Sequence, residues 1–179
     1  MVRITVSGTP GSGKSTVAKI LHEKTGLPYV NAGDIFRELA QEYGMNLEEF
    51  GSYCKHHKDV DTKLDQRQLE KLQQQEDILL EGRLTGWLAY KHKIPAVKVF
   101  ITADTDTRAK RIVKREGGSI EQRKQEILTR QQCEAARYQQ YYHVDLKDTS
   151  LYDLVIDSSE KPPEEIVEMI LSYLSQNTP

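Results

Sequence analysis

Along the chain, short runs rich in β-branched and aliphatic residues alternate with longer segments whose apolar positions recur at helical spacing. The short runs are Arg3 to Ser7, Pro28 to Val30, Ile78 to Leu80, Val97 to Ile101 and Leu154 to Ile156. Strands separated by helices predict parallel pairing, because a parallel neighbour can be reached only through a long crossover. The helical pattern is cleanest near the end, where Pro162 and Pro163 precede Ile166, Val167, Ile170, Leu171 and Leu174 on one stripe. That stripe predicts a helix packed on the sheet. Two segments differ in being polar, helical and poor in core positions, roughly Gly33 to Gln75 and roughly Lys114 to Tyr142. They read as arms over a binding cleft. The expectation is one α/β domain over 1–179, a five-stranded parallel sheet with helices on both faces and insertions at about 33–75 and 114–142.

Composition narrows the partners more than the fold. The 179 residues, 37% of them hydrophobic, suffice for one core. A formal net charge of −2 supplies no uniformly basic surface, so nucleic acid is not an expected partner and any anion site must be built locally. No long apolar segment follows the amino terminus, and nowhere do about eighteen apolar residues run together, so neither secretion nor a membrane is expected. Cys54 and Cys133 lie far apart and outside any CxxC pair, which points away from disulfides and structural zinc and toward the cytoplasm.

The first strand runs into Gly8-Thr9-Pro10-Gly11-Ser12-Gly13-Lys14-Ser15, which satisfies G-x-x-x-x-G-K-[ST] at every fixed position. Gly8, Gly11 and Gly13 free the backbone to turn successive N–H groups toward one anion, and a helix starting near Gly13 adds its positive end. Lys14 can then reach the β- and γ-phosphates of ATP as a point charge, while the Ser15 hydroxyl ligates Mg²⁺. An apolar helix follows through Val17, Ala18, Ile20 and Leu21, the context the motif demands, and Gly8 to Thr16 is the expected ATP-binding segment of a P-loop NTPase core. A phosphate cradle names a nucleotide and not a reaction. GTPases add N-K-x-D after a late strand; the nearest string, Thr62-Lys63-Leu64-Asp65, precedes the third strand and reads as a polar helix face.

Arginines supply the second positive site. Arg37 follows the second strand behind Ala32-Gly33-Asp34, and Arg83 follows Glu81-Gly82 at the end of the third. Ligands of open parallel sheets bind outside the carboxyl ends of the strands, so both guanidinium groups are expected in the crevice, where they can hold a monophosphate bidentately. Glu81 and Asp34 lie where a carboxylate can hold Mg²⁺ through water, although Asp34 also suits capping or pairing with an arginine. Arg108, Arg111 and Arg115 share one helix face, and Arg123, Arg130 and Arg137 nearly align on the next. Such stripes are solvated basic faces unless the segment closes as a lid, in which case they stabilise charge on the moving phosphoryl group and exclude water. The histidines, including His56, His57 and His143, take no catalytic role; His56 and His57 are expected to be solvent-exposed.

Taken together, Gly8 to Ser15, Ala32 to Ala40, Glu81 to Trp87, and Arg130 with Glu134, Arg137 and Tyr138 resemble the archaeal-type cytidylate kinases. Gly44 to Phe50, Asp65 to Gln68 and Tyr152 to Ile156 are also similar to that group, so the resemblance covers nearly the whole chain. It implies a monomeric nucleoside monophosphate kinase that phosphorylates CMP and dCMP from ATP with Mg²⁺. It further implies that Arg37 and Arg83 bind the acceptor phosphate and that Arg111, Arg115, Arg130 and Arg137 belong to the lid. Gln131-Gln132-Cys133 departs from the acidic residues frequent there. Spacing alone does not identify the base: UMP or AMP as acceptor, a small-metabolite kinase and a non-catalytic nucleotide sensor remain open. Asp65 and Arg67 are candidate base readers, set against an ordinary surface pair.

Overall fold

A computed structural model describes residues 1–54 and 57–177. All five anticipated strands form, each within a residue or two of its sequence boundaries: β1 (Arg3–Gly8), β2 (Tyr29–Asn31), β3 (Ile78–Glu81), β4 (Val97–Thr102) and β5 (Leu154–Asp157). They join in one parallel sheet of order β2-β3-β1-β4-β5. The first strand therefore lies at the centre, and its carboxyl end opens at the point where the strand order reverses.

The strands alternate their side chains between two faces, both covered at the centre of the sheet, while at the β5 edge Val155 is exposed. On one face Ile4, Val6, Val99, Ile101 and Ile156 pack with α1 (Lys14–Thr25) and α8 (Pro163–Asn177). The stripe anticipated for α8 is the surface that packs there: Ile166, Val167 and Ile170 are buried, and Leu171 and Leu174 rest against the same core. On the other face Ile78 and Leu80 meet Leu72 of α4 (Lys58–Gln74) and Leu84, Leu88 and Ala89 in and around α5 (Thr85–Lys91). Tyr138 of α7 (Ile120–Tyr142) joins this second cluster and ties the end of the long helix to the sheet.

The first polar segment is less bare than its composition predicts. Helices α2 (Ala32–Glu42), α3 (Leu47–Cys54) and α4 enclose a third apolar cluster of Ile35, Leu39, Ala40, Phe50, Cys54 and Val60. The Phe36 and Phe50 rings lie 4.9 Å apart. Apolar residues spread over three short helices show no single strong stripe, so only their convergence in space reveals them. The second segment consists of α6 (Thr105–Glu116) and α7, joined through Gly117 and Gly118. Of the paired histidines, His56 lies outside the described residues, whereas His57 is half-buried and stacked on Tyr53 with 3.6 Å between ring centroids.

Candidate active site

The turn after β1 is held by backbone proximity. A side chain at Gly8 would bring its Cβ within 2.1 Å of the Ile101 carbonyl oxygen, so the chain can pass there only as glycine. Gly13 caps α1 with φ 86°, a left-handed conformation that turns the loop into the helix. Ser12 is buried and Lys14 begins α1. Burial, with the Arg83 guanidinium close by, pushes the Lys14 ammonium down from its ordinary 10.5 to about 7, and Glu81 offsets part of this.

The parallel register builds the neighbouring carboxylate site. Asn31 stands opposite Glu81 in the β2–β3 ladder, and Val6 stands opposite Glu81 in the β1–β3 ladder. Tyr29 and Asn31 share a face, two residues apart, and both donate to Glu81 Oε2, at 2.5 Å each. Glu81 Oε1 accepts from Ser15 Oγ at 2.7 Å. Burial and the adjacent Glu81 push the Tyr29 phenol well above its ordinary range. A buried carboxylate fixed by two donors, with its other oxygen on the Ser15 hydroxyl, is a hard oxygen donor set that suits Mg²⁺, which usually keeps several waters. Among the described residues no group of three or more His, Cys, Asp or Glu side chains is arranged to hold a metal ion, so Glu81 and Ser15 would share Mg²⁺ with the ATP phosphates and water.

Arg83 reaches the phosphate loop. Its guanidinium donates to the Gly8 carbonyl oxygen, and its Nε lies 3.2 Å from Glu134 on α7. Glu134 also accepts from Arg130 Nε at 2.9 Å, so one carboxylate bridges two arginines beside Lys14. A cavity of about 400 Å³ opens here, lined by Gly8, Pro10, Arg83, Phe100, Glu134 and Leu146 among others. Arg37 is placed differently from the sequence expectation. It pairs with Asp34 on the first turn of α2, is 54% exposed and lies beside Gly33, and among the described residues it makes no hydrogen bond or ion pair to the phosphate loop. Glu81, not Asp34, is the carboxylate against Ser15, though Asp34 lies near enough to Tyr29 to act on its phenol.

The arginines expected of a lid divide into distinct groups. Arg111 donates to the Ser12 carbonyl at 3.2 Å and embraces Ser158 through its hydroxyl at 2.9 Å and its carbonyl at 2.6 Å. Arg108 is buried and donates to the Pro10 carbonyl at 3.4 Å and to Gln131 Oε1 at 2.9 Å. A solvated basic face fails for these two, which brace the loop. It holds for Arg115, exposed and paired with its neighbour Glu116. Arg130 stands in the Glu134 bridge, Arg137 lies over the Tyr138 ring at 4.9 Å, and Arg123 pairs with Glu126. Thr9 and Thr16 complete the loop and the first turn of α1.

Several residues of the site escape sequence reasoning. Ser158, after β5, donates to the Ser12 carbonyl at 2.8 Å, and nothing in its local sequence signals that contact. Asn31 and Tyr29 are legible only through the register. The surface pair of Asp65 and Arg67 does not form: Asp65 is buried and accepts from Tyr142 Oη at 2.5 Å, while Arg67 forks onto Glu42 at 2.7 and 2.8 Å. Asp65 therefore does not lie on a polar helix face.

Known proteins resemble the chain over nearly its whole length. A profile of the cytidylate kinase-like family matches residues 3–160. The chain belongs to the cytidylate kinase-like family. A cytidylate kinase of Archaeoglobus fulgidus is 42% identical over 170 residues, covering 95% of this chain and 93% of its own. One from Methanocaldococcus jannaschii is 41% identical over 172 residues, 96% of each chain. Among solved structures, an uncharacterized protein from Eubacterium ventriosum superposes with a TM-score of 0.77 at 20% identity, covering 99% of this chain and all of that one. A shikimate kinase from Acinetobacter baumannii gives 0.66 at 14% identity, covering 99% and 95%. These two likenesses show the fold that this cytidylate kinase-like chain shares with both proteins. Among the described residues no helix is long and apolar enough to cross a membrane.

Proposed function

We propose that the chain transfers the γ-phosphoryl group of ATP directly to the phosphate of CMP or dCMP. The main-chain amides of Gly8 to Ser15 hold the donor phosphates, Lys14 reaches toward the transferred group, and Thr9, Pro10 and Thr16 complete the cradle. Mg²⁺, held by Ser15 and through water by Glu81, would neutralise charge on the donor phosphates. Arg83 takes the acceptor phosphate, and Arg37 joins it from α2. Arg130 and Arg137 bring charge from α7. Arg111 holds the loop in shape, and Arg115, bound to Glu116, stays outside the working set.

No protein nucleophile or general base is needed, because the acceptor phosphate is already an anion at neutral pH; positioning and electrostatics carry the rate. The observation that supports this reading most is the bridge in which Arg83 and Arg130 share Glu134 beside Lys14. Two guanidinium groups converging on one carboxylate can converge equally on a phosphate. The relatives named cytidylate kinase, about 40% identical over nearly the whole chain, supply the pyrimidine acceptor.

The test is an acceptor panel. ADP release is followed with CMP, dCMP, UMP, AMP and shikimate at fixed ATP and Mg²⁺. Turnover is expected with CMP and dCMP; turnover with shikimate alone, or ATP binding without turnover on any acceptor, overturns the proposal.

A further inference from the structure

Gln68 on α4 is a buried side chain, 3% exposed, with its two amide atoms in opposite circumstances. Its Nε2 donates to the Leu64 carbonyl at 3.3 Å and to Asp65 Oδ1 at 3.2 Å. Its Oε1 has no hydrogen-bond partner although it is fully shielded from water. A buried acceptor left unmet is costly, and native proteins rarely keep one without a use. Turning the amide over does not help, because Oε1 would then face two acceptors. Asp65 is itself held by Tyr142 Oη, so the whole chain of contacts fixes which atom Gln68 presents.

The presented atom lies between the strand ends that carry the phosphate residues. A Cβ added to Gly82 would come within 2.8 Å of Gln68 Oε1 and 3.0 Å of Ala32. Gly82 separates Glu81 from Arg83, and Ala32 opens the helix that carries Arg37. The acceptor atom thus sits beside the site assigned to the acceptor nucleotide.

We propose that Gln68, with its orientation fixed by Asp65, distinguishes the acceptor base by offering a hydrogen-bond acceptor to an exocyclic amino group. The amino edge of cytosine, like that of adenine, donates there, whereas the carbonyl that uracil carries at the same ring position meets an acceptor and is repelled. Asp65 acts as a positioning residue. This inference rests on the monophosphate-kinase reading and adds the group that discriminates within it.

The experiment measures kcat/KM for CMP and UMP, and calorimetric affinity for each, in the wild type, Gln68→Met and Asp65→Asn, with thermal melts as a check on folding. In Gln68→Met, CMP is expected to weaken by roughly 10- to 100-fold, the scale of one buried hydrogen bond, while UMP changes by less than about threefold. In Asp65→Asn the amide is free to turn its Nε2 toward the uracil carbonyl, so the CMP to UMP ratio falls in both turnover and binding. Equal losses for the two nucleotides in either variant, or no loss, overturn the proposal. If Gln68→Met does not fold, the ratio in Asp65→Asn decides. Wild type that binds CMP over UMP but turns over neither would refute the kinase reading and leave the base-reading inference standing.

Discussion

Lys14 shows how a single charge can be tuned by its surroundings. Burial and Arg83 disfavour the protonated amine, so its proton is lost near pH 7 instead of near 10.5. The sign for stability follows from linkage. Because the folded value is depressed, this lysine opposes folding fully below pH 7, and the penalty fades as pH rises from about 7 toward 10.5, where the unfolded chain still binds the proton. A phosphate brought against the amine raises its proton affinity again. Binding of ATP at pH 8 is therefore expected to take up roughly one proton, measured by calorimetry in buffers of different ionisation enthalpy. Lys14→Ala should abolish that uptake as well as turnover; uptake unchanged in the variant would remove Lys14 from the donor site.

At the scale of elements, the same basic stripe serves different ends on α6 and α7. Arg108 and Arg111 point inward because their helix lies against the phosphate loop, whereas Arg115, one turn further on, has passed beyond it. Arg115→Ala is accordingly expected to change kcat/KM by less than about twofold, as an exposed pair is worth little. Arg130→Ala should lower it by about 10²-fold or more if its guanidinium meets transition-state charge. Steady-state kinetics on the two variants side by side checks the contrast, and equal effects would contradict it. The arm of α2, α3 and α4 gives a second prediction. Phe50 is fully buried in a cluster distinct from the two that flank the sheet. Phe50→Ala should cost about 3–5 kcal/mol of arm stability and raise the KM for the acceptor, while ATP affinity stays near the wild-type value. Hydrogen exchange would show the loss confined to α2, α3 and α4; equal loss across the sheet would contradict a separate arm core.

Across the whole molecule, what could be read along the chain was whatever depends on near neighbours in sequence. The five strands were legible because β-branched runs between helices need no distant partner to declare themselves, and the loop from Gly8 to Ser15 carries its chemistry within eight residues. The α8 stripe, a 3.6-residue period, was legible for the same reason. Contacts across long separations were not. Ser158 meets Ser12 across 146 positions, and Asp65 meets Tyr142 across 77, through pairings that no local pattern encodes. Strand register alone put Tyr29 and Asn31 on Glu81, since a slip of one residue would have turned those side chains to the other face. Arg83 and Arg37, alike by position after their strands, parted because one reaches the end of the central strand and the other folds back onto Asp34 in the first turn of α2. By itself the sequence determined the elements, the phosphate loop and the supply of arginines, all of which follow from local backbone preference and side-chain chemistry. Only the tertiary structure decided which carboxylate faces Ser15, which arginines reach the crevice and which amide is left with an unmet oxygen, because each depends on distances between chain segments that folding alone brings together.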